Sequence, residues 1–322
     1  MNFPTGNLLR SIGSPFASFS YDASKTNIFE LYRYATKNKV ALLYLEALRR
    51  LGNIGSLQTE YDSMIARYAG TEAAIHRVSE VLDKAGVDYV FFKSIRPYRE
   101  VTVDIDILVF GSRYREVIRA MQRAGYLFLA AGPLSTTFRD SRAGIDLDIY
   151  DEVGVSYLIY LDKHALTNSV GKSRLSNGDV VRSLYPEADL LAVIAHSVIK
   201  EQMYVLSEYY TTLHYLEHMK YDGLNSFLSL VDECRLRSAV EAHLGITALL
   251  HYEAHSSTPI GLTKMLKGLD MNRTDVMHVK EKGFMMPYKY HPMTVTKAIL
   301  EKLGEEKARR SFASQTINML NP

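Results

Sequence analysis

The feature that most constrains the fold is a pair of short stretches in which apolar and acidic residues alternate strictly. They read VDIDI at residues 103–107 and IDLDI at residues 145–149. Side chains on a β-strand point alternately to its two faces. Each stretch therefore predicts a strand with one apolar face and one face that carries two carboxylates. An ordinary half-buried strand with a solvated polar face has the same pattern, so alternation alone does not define a site.

If the two strands are neighbours, their carboxylates would form a cluster that could bind a cation. Asp104 and Asp106 would then crowd against Asp148, with Asp146 as the competing candidate for the third position. Like charges at close range raise one another's pKa unless positive charge lies among them. Carboxylate oxygens are the ligands that Mg²⁺ and Mn²⁺ prefer, together with phosphate oxygens and water. We therefore expect a divalent-cation site at Asp104, Asp106 and Asp148.

Basic residues precede the first acidic strand. An apolar run ends in Lys93 and Ser94, and the connection that follows carries Arg96 and Arg99 before the chain reaches Asp104. A strand that ends in a small residue and a turn can offer backbone N–H groups and a hydroxyl to phosphate oxygens. The three cations supply the positive charge that a triphosphate needs. The alternative is that they are solvated loop residues.

The order of these motifs resembles the DNA polymerase beta-type nucleotidyltransferase superfamily. A strand ending in Lys-Ser is followed by a basic connection, the acidic strand, a helix closed by Gly125, and a second acidic strand. Within that superfamily the chain is most similar to a poorly characterised nucleotidyltransferase family in which Lys-Gly replaces the usual Gly-Ser. The likeness spans roughly residues 80–220 and includes a Pro-Glu pair at Pro186 that opens a helix containing His196.

The resemblance implies an α+β fold with a small mixed sheet and a role for each matching position. Asp104 and Asp106 would be metal ligands, and Asp148 a third ligand that helps to deprotonate the acceptor. Lys93 and Ser94 would form the triphosphate-binding turn. The implied reaction moves a nucleoside monophosphate from an NTP to an acceptor hydroxyl. Serine in place of glycine limits close backbone approach, so a non-catalytic nucleotide-binding or partner-binding module on the same fold is the alternative.

The spacing of apolar residues along the sequence divides the chain into four parts. We expect an N-terminal arm at 1–26, a helical segment at 27–85, the nucleotidyltransferase core at 86–185 and a C-terminal helical domain at 186–322. Apolar spacing of three and four predicts the helices. The main ones cover residues 57–68, 72–85, 113–124, 188–219 and 294–312, with a further helix or pair at 223–255. Alternation and apolar runs predict strands at 87–92, 101–110 and 144–150, with another apolar run at 126–130.

The balance of charge limits the choice of acceptor, and the cysteine content indicates the cellular compartment. Lys and Arg number 38 against 36 Asp and Glu, which disfavours a large RNA acceptor. The acceptor stays open between a small molecule, a protein Ser, Thr or Tyr, and an RNA 3′ end, and the resemblance adds a possible partner protein. A single cysteine, Cys234, excludes an intrachain disulfide, and no apolar run approaches the ~20 residues of a membrane span. These observations predict a cytoplasmic protein.

Histidines and tyrosines give weaker signals. His214 and His218, like His251 and His255, lie four residues apart, a spacing that can bind zinc but more often marks packed or surface histidines. His196 lies on an apolar helix and would orient a ligand, together with Lys200, only if that helix borders the cleft. Tyrosines between residues 204 and 215 are expected to pack between helices rather than to stack on bases.

Overall fold

The computed structural model describes residues 4–20, 27–219, 221–269 and 273–320. The helices are α1 (Pro4–Ile12), α2 (Ile28–Lys37), α3 (Ala41–Arg50), α4 (Gln58–Lys84), α5 (Tyr114–Arg123), α6 (Lys163–Leu166), α7 (Pro186–Ala195), α8 (Leu206–His218), α9 (Tyr221–Glu233), α10 (Arg237–His255), α11 (Ile260–Lys267), α12 (Arg273–Glu281), α13 (Pro292–Lys302) and α14 (Glu306–Leu320). The strands are β1 (Tyr89–Phe91), β2 (Asp104–Val109), β3 (Leu127–Ala131), β4 (Ser135–Asp140), β5 (Ile145–Tyr150), β6 (Val153–Val155), β7 (Leu158–Leu161), β8 (Val170–Arg174), β9 (Val180–Leu184), β10 (Met203–Tyr204) and β11 (Tyr288–Lys289).

A seven-stranded mixed sheet forms the centre, in the order β3-β4-β5-β2-β1-β9-β8. The pairs β2–β5 and β1–β9 are parallel, and the other pairs are antiparallel. The strand pairs β6–β7 and β10–β11 lie outside this sheet. The predicted α+β class with a mixed sheet between helical segments is confirmed.

The two faces of the sheet bury different cores. The apolar residues of the alternating stretches, Ile105 and Ile107 on β2 with Leu147 and Ile149 on β5, are fully buried against α4 and α5. On the opposite face, Leu108 at the end of β2 belongs to the core of the flanking helices. Asp104 and Asp106 lie on the same face of β2 as Leu108, and therefore on the side of the sheet opposite α4 and α5.

The beginning of the chain is more ordered than the sequence suggests. We expected a loosely docked arm, but α1 packs against α3 and α10, and both Leu8 and Leu9 have no exposed surface. The pattern is hard to recognise because α1 is short and its buried face includes Thr5, whose hydroxyl donates to the Phe284 carbonyl at 2.6 Å. Residues 1–3 and 21–26 of the expected arm lie outside the described residues. The division into four parts stays a prediction.

Helix boundaries also differ from the sequence-based expectation. Residues 57–68 and 72–85 were expected to form two helices, but α4 is continuous, since an interior glycine such as Gly70 weakens a helix without ending it. The expected helix at 188–219 is interrupted by a π-helical turn, His196–Lys200, and by β10. The last expected helix is split between α13 and α14. None of the described helices is long and apolar enough to cross a membrane.

Candidate active site

The two acidic strands lie side by side in parallel register. Asp104 pairs with Asp146 and Asp106 pairs with Asp148 across the β2–β5 ladder. Residues paired in a parallel ladder point to the same face of the sheet. The predicted adjacency of the two acidic stretches is therefore confirmed.

The contacts of the two β5 carboxylates distinguish Asp148 from Asp146. The Arg139 guanidinium donates to both oxygens of Asp146, at 2.7 and 3.1 Å. Asp148 accepts a hydrogen bond from the Thr137 hydroxyl at 2.6 Å and lies beside Asp106. Since both oxygens of Asp146 are engaged by a cation, Asp148 is the better candidate for a third metal ligand.

Asp106 is buried and faces a buried cation. The Lys93 ammonium lies 3.1 Å from its carboxylate, and the two side chains are 5% and 9% exposed. Burial opposes ionisation of Asp106, but the ammonium outweighs it and lowers the pKa of the carboxyl. Burial lowers the pKa of Lys93, and the charge of Asp106 acts against that shift. The turn that presents this lysine is held by Asp189, which accepts a hydrogen bond from the Lys93 N–H at 2.6 Å.

His196 contacts the same lysine from the π-helical turn. Its Nδ1 lies 3.0 Å from the Lys93 Nζ, and its Nε2 lies 3.3 Å from a carboxylate oxygen of Glu201. Burial and the nearby ammonium lower the pKa of His196 to about 4. The ring is therefore neutral at pH 7, with Nδ1 accepting from the lysine and Nε2–H donating to the glutamate. Single π-helical turns frequently occur at functional sites.

Asp104 has no contact partner in the described part of the chain, and the more distant charges of Lys93 and Lys200 only partly compensate its own. Within the described ranges, no hydrogen bond or ion pair reaches its carboxylate. Burial, followed by the charge of Asp106, raises the pKa of Asp104 to about 6. Burial also raises the pKa of Asp148. The three carboxylates outnumber Lys93 and Lys200, the two ammonium groups whose charges act on all of them, and this excess of negative charge favours binding of a cation.

This electrostatic state predicts a pH dependence. Because the pKa of Asp104 is raised to about 6, protons compete with a cation below that pH. We expect the affinity for Mn²⁺ to be flat from pH 7 to 8 and to fall about tenfold per pH unit below 6 for one competing proton. In the metal-free protein the free energy of unfolding has the opposite pH dependence to the Mn²⁺ affinity. A raised carboxyl pKa costs stability above the folded value, so this group adds stability as the pH falls through 6. Calorimetric titration and thermal unfolding across this range measure both effects.

Ser94 has a structural role in the turn. Its hydroxyl donates to the Phe92 carbonyl at 3.1 Å and accepts from the Asp106 N–H at 2.7 Å. Ser94 is buried and does not line the cavity that opens beside the start of β2. The expectation that this hydroxyl meets a phosphate is not supported, because the oxygen already ties the turn to β2.

Replacing this serine provides a test of that role. Ser94→Ala leaves the buried Asp106 N–H without an acceptor, and we expect a loss of about 1–3 kcal/mol in the free energy of unfolding. Denaturant titration measures the loss, and Ser112→Ala, at an exposed position, checks for nonspecific effects. An unchanged unfolding midpoint for Ser94→Ala would show that the hydroxyl does not hold the turn.

A cavity of about 380 Å³ opens beside the start of β2. Asp104, Asp106 and His196 line it. Its basic lining residues are Lys39, Arg67, Lys93, Arg96, Arg99 and Lys200. The sequence analysis did not include Lys39 and Arg67, because they come from the α2–α3 connection and from α4, and no local spacing links them to the acidic strands.

The arginines predicted to bind triphosphate both reach this cavity, although each has an acidic neighbour. Arg96 lies 3.4 Å from Glu100, and Arg99 lies 3.2 Å from Glu46. The Arg96 Nη1 atom is buried and has no hydrogen-bond partner among the described residues. Asp148 does not line the cavity and lies behind Asp106 along the sheet.

The donor set can be compared with the needs of a divalent cation. Among the described residues, no three His, Cys, Asp or Glu side chains converge closely enough to hold a metal as they stand. The oxygen chemistry nevertheless fits Mg²⁺ or Mn²⁺, since these ions take a few carboxylates and complete their shell with water and phosphate. The unpaired Asp104 carboxylate provides one such ligand at the cavity. The residues therefore fit a cation that is held jointly with a substrate.

In each histidine pair at least one ring makes an ordinary hydrogen bond, and the tyrosines between residues 204 and 215 are buried. The His218 Nδ1 lies 2.6 Å from the carbonyl oxygen of His214, and His251 contacts the Ser14 hydroxyl and the Ser257 carbonyl. Nothing in the described part of the chain supports a zinc site at these pairs. The tyrosines expected to pack between helices are buried; these are Tyr204, Tyr209, Tyr210 and Tyr215.

Comparisons with known proteins give little beyond this geometry. No protein-family model matches the chain, and no curated protein matches it. One solved structure, the STING-associated CdnE c-di-GMP synthase from Capnocytophaga granulosa, aligns over 88% of this chain and 98% of its own, with 13% identity and a TM-score of 0.26. The chemistry proposed below therefore rests on the residues of the site itself.

Proposed function

We propose that this protein is a metal-dependent nucleotidyltransferase that moves a nucleoside monophosphate from an NTP to an acceptor hydroxyl. The observation that supports the proposal is the parallel register of β2 and β5, in which Asp106 pairs with Asp148, while Asp104 and Asp106 line a cavity that also contains six Lys and Arg side chains. Carboxylates for a cation and cations for phosphate are both required to bind a metal–triphosphate complex.

The basic residues would position the triphosphate. An ammonium has three N–H donors. Asp106 and His196 engage two of those on Lys93, which leaves one for a phosphate oxygen in the cavity. Lys39 and Arg67 line the same cavity and make no ion pair with any described carboxylate, so their N–H donors would be available to the distal phosphates.

The acidic residues would hold the cation and manage the acceptor proton. Asp104, Asp106 and Asp148 are the proposed ligands of Mg²⁺ or Mn²⁺. When bound, such an ion lowers the pKa of a hydroxyl and neutralises charge on the phosphates. A carboxylate with a raised pKa, as Asp148 has, is suited to receive the proton that the acceptor hydroxyl loses.

Label transfer tests the proposal. The protein is incubated with each α-labelled triphosphate, Mg²⁺ or Mn²⁺, and candidate acceptors drawn from small molecules, proteins and RNA. We expect covalent transfer of label and release of pyrophosphate with the wild type, and none with Asp104→Ala/Asp106→Ala. Transfer that the double substitution leaves unchanged would exclude these residues from the reaction.

A second candidate is a nucleotide-binding or partner-binding module without turnover. It is favoured by the Lys93–Asp106 ion pair, which engages one proposed metal ligand, and by the Ser94 hydroxyl, which is committed to the turn. Such a module would bind a metal–triphosphate complex in a calorimetric titration and return it chemically unchanged. Mass spectrometry of the recovered nucleotide separates the two functions.

A further inference from the structure

A second cavity, of about 800 Å³, adjoins the first. It lies between the end of α1 and the helices α3, α4 and α8, and Leu43 and Arg99 line both cavities. Binding sites for small molecules commonly enclose about 300–1,000 Å³. The second cavity is therefore large enough for a ligand of its own, next to the acidic cluster.

Two arginines on this cavity form no ion pair with a described carboxylate, although Glu46 on the same wall lies within electrostatic reach of both. Arg49 donates to the Tyr61 hydroxyl at 2.7 Å, and Arg50 donates to the Ile12 carbonyl at 3.3 Å. Both acceptors are neutral, and both arginines are exposed. A planar guanidinium with free donors suits a phosphate group.

Aromatic rings form another part of the wall. The rings of Tyr98 and His214 lie 5.2 Å apart at 36°, and Tyr210 meets Tyr98 edge-on at 6.4 Å. The buried Tyr210 hydroxyl has no hydrogen-bond partner within the described ranges. Burial lowers the pKa of His214, which keeps the ring uncharged at neutral pH. Because Tyr210 is buried, the faces available to a nucleobase are those of the half-buried Tyr98 and His214, and aromatic faces beside arginines are the usual elements for stacking a base.

We propose that the second cavity is the acceptor site and takes a nucleoside phosphate. Its base would stack on the rings of Tyr98 and His214, while its phosphate meets Arg49 and Arg50. This inference rests on the proposed function. The acceptor hydroxyl oxygen forms the new bond to the α-phosphorus, and the bond from that phosphorus to the bridging oxygen breaks. Pyrophosphate leaves with the electron pair, and the hydroxyl proton passes to a carboxylate of the acidic cluster.

The test compares Arg49→Gln/Arg50→Gln with Arg119→Gln/Arg123→Gln, which removes the same charge from the exposed side of α5. Calorimetry measures binding of nucleoside 5′-monophosphates and of a short oligoribonucleotide, with Mg²⁺ and a non-hydrolysable triphosphate present to fill the first cavity. We expect the Arg49/Arg50 variant to bind at least about tenfold more weakly, and the α5 variant to bind like the wild type.

The binding measurements identify the source of the ligand if the proposal holds, and they also include outcomes that overturn it. Arginine-dependent binding of a monophosphate supports a free nucleotide as acceptor, and such binding of the oligoribonucleotide alone supports an RNA end. Equal affinity in both variants, or no binding of either probe to the wild type, overturns the proposal. Failure of the proposed function has a different signature, since label transfer would be absent while arginine-dependent binding persists.

Discussion

Asp104→Asn is expected to abolish nucleotidyl transfer and, at the same time, to stabilise the metal-free protein. The carboxylate has no partner in the described structure, and its raised pKa shows that its charge is costly in the fold. A neutral side chain of the same shape removes that cost. It also removes a proposed metal ligand, which is worth several kcal/mol, and about 4 kcal/mol corresponds to about a thousandfold in rate. Transfer assays and thermal unfolding in EDTA measure the two effects.

The matched control is Asp146→Asn, which changes the residue paired with Asp104 in the ladder. Asp146 is held by Arg139, so this variant should keep most of its activity. Equal losses from the two substitutions would contradict the choice of ligands. A fall in the melting temperature for Asp104→Asn would contradict the claim that its charge destabilises the metal-free fold.

Lys93→Met is expected to cause the largest loss of stability in the site. It leaves the buried carboxylate of Asp106 without its cation, and breaking a buried ion pair from one side costs about 3–5 kcal/mol. We also expect triphosphate binding to be lost, because Lys93 lines the cavity between Asp106 and the other cations. Denaturant unfolding in EDTA and a triphosphate titration measure the two losses.

A double variant separates this electrostatic cost from a general packing defect. Lys93→Met/Asp106→Asn removes both charges, so it should recover most of the stability that Lys93→Met alone loses. Added Mn²⁺ should raise the melting temperature of Lys93→Met more than that of the wild type, since a cation would replace the missing charge. Additive losses in the double variant, with no such gain from Mn²⁺, would show that the ion pair does not stabilise the turn.

The parts of the fold that the sequence predicted are those with a strong period. VDIDI and IDLDI specify one buried and one acidic face, and β2 and β5 follow that pattern. Strand β4 was not recognised, because STTFRD contains Phe138 as its one large apolar residue. Strands β8 and β9 are short and partly polar, and they pair as a hairpin at the edge of the sheet.

The site residues within the strand motifs could be predicted from the sequence, whereas those contributed by distant segments could not. The three carboxylates belong to the two alternating stretches and Lys93 ends the apolar run before the first of them, so the local sequence pattern was sufficient to find them. Asp189 supports Lys93 from a helix 96 positions later, and Lys39 and Arg67 reach the cavity from the α2–α3 connection and from α4. Such contacts depend on how the helices pack, which the period of any one segment does not specify.

Binding of a non-hydrolysable triphosphate, measured by calorimetry with Mn²⁺ and again with EDTA, tests most directly whether the acidic cluster holds a cation against phosphate. The account predicts tight binding to the wild type with Mn²⁺, much weaker binding in EDTA, and loss of the Mn²⁺ dependence in Asp104→Asn. Binding of the same strength with and without the metal, or the same Mn²⁺ dependence in Asp104→Asn, would contradict it.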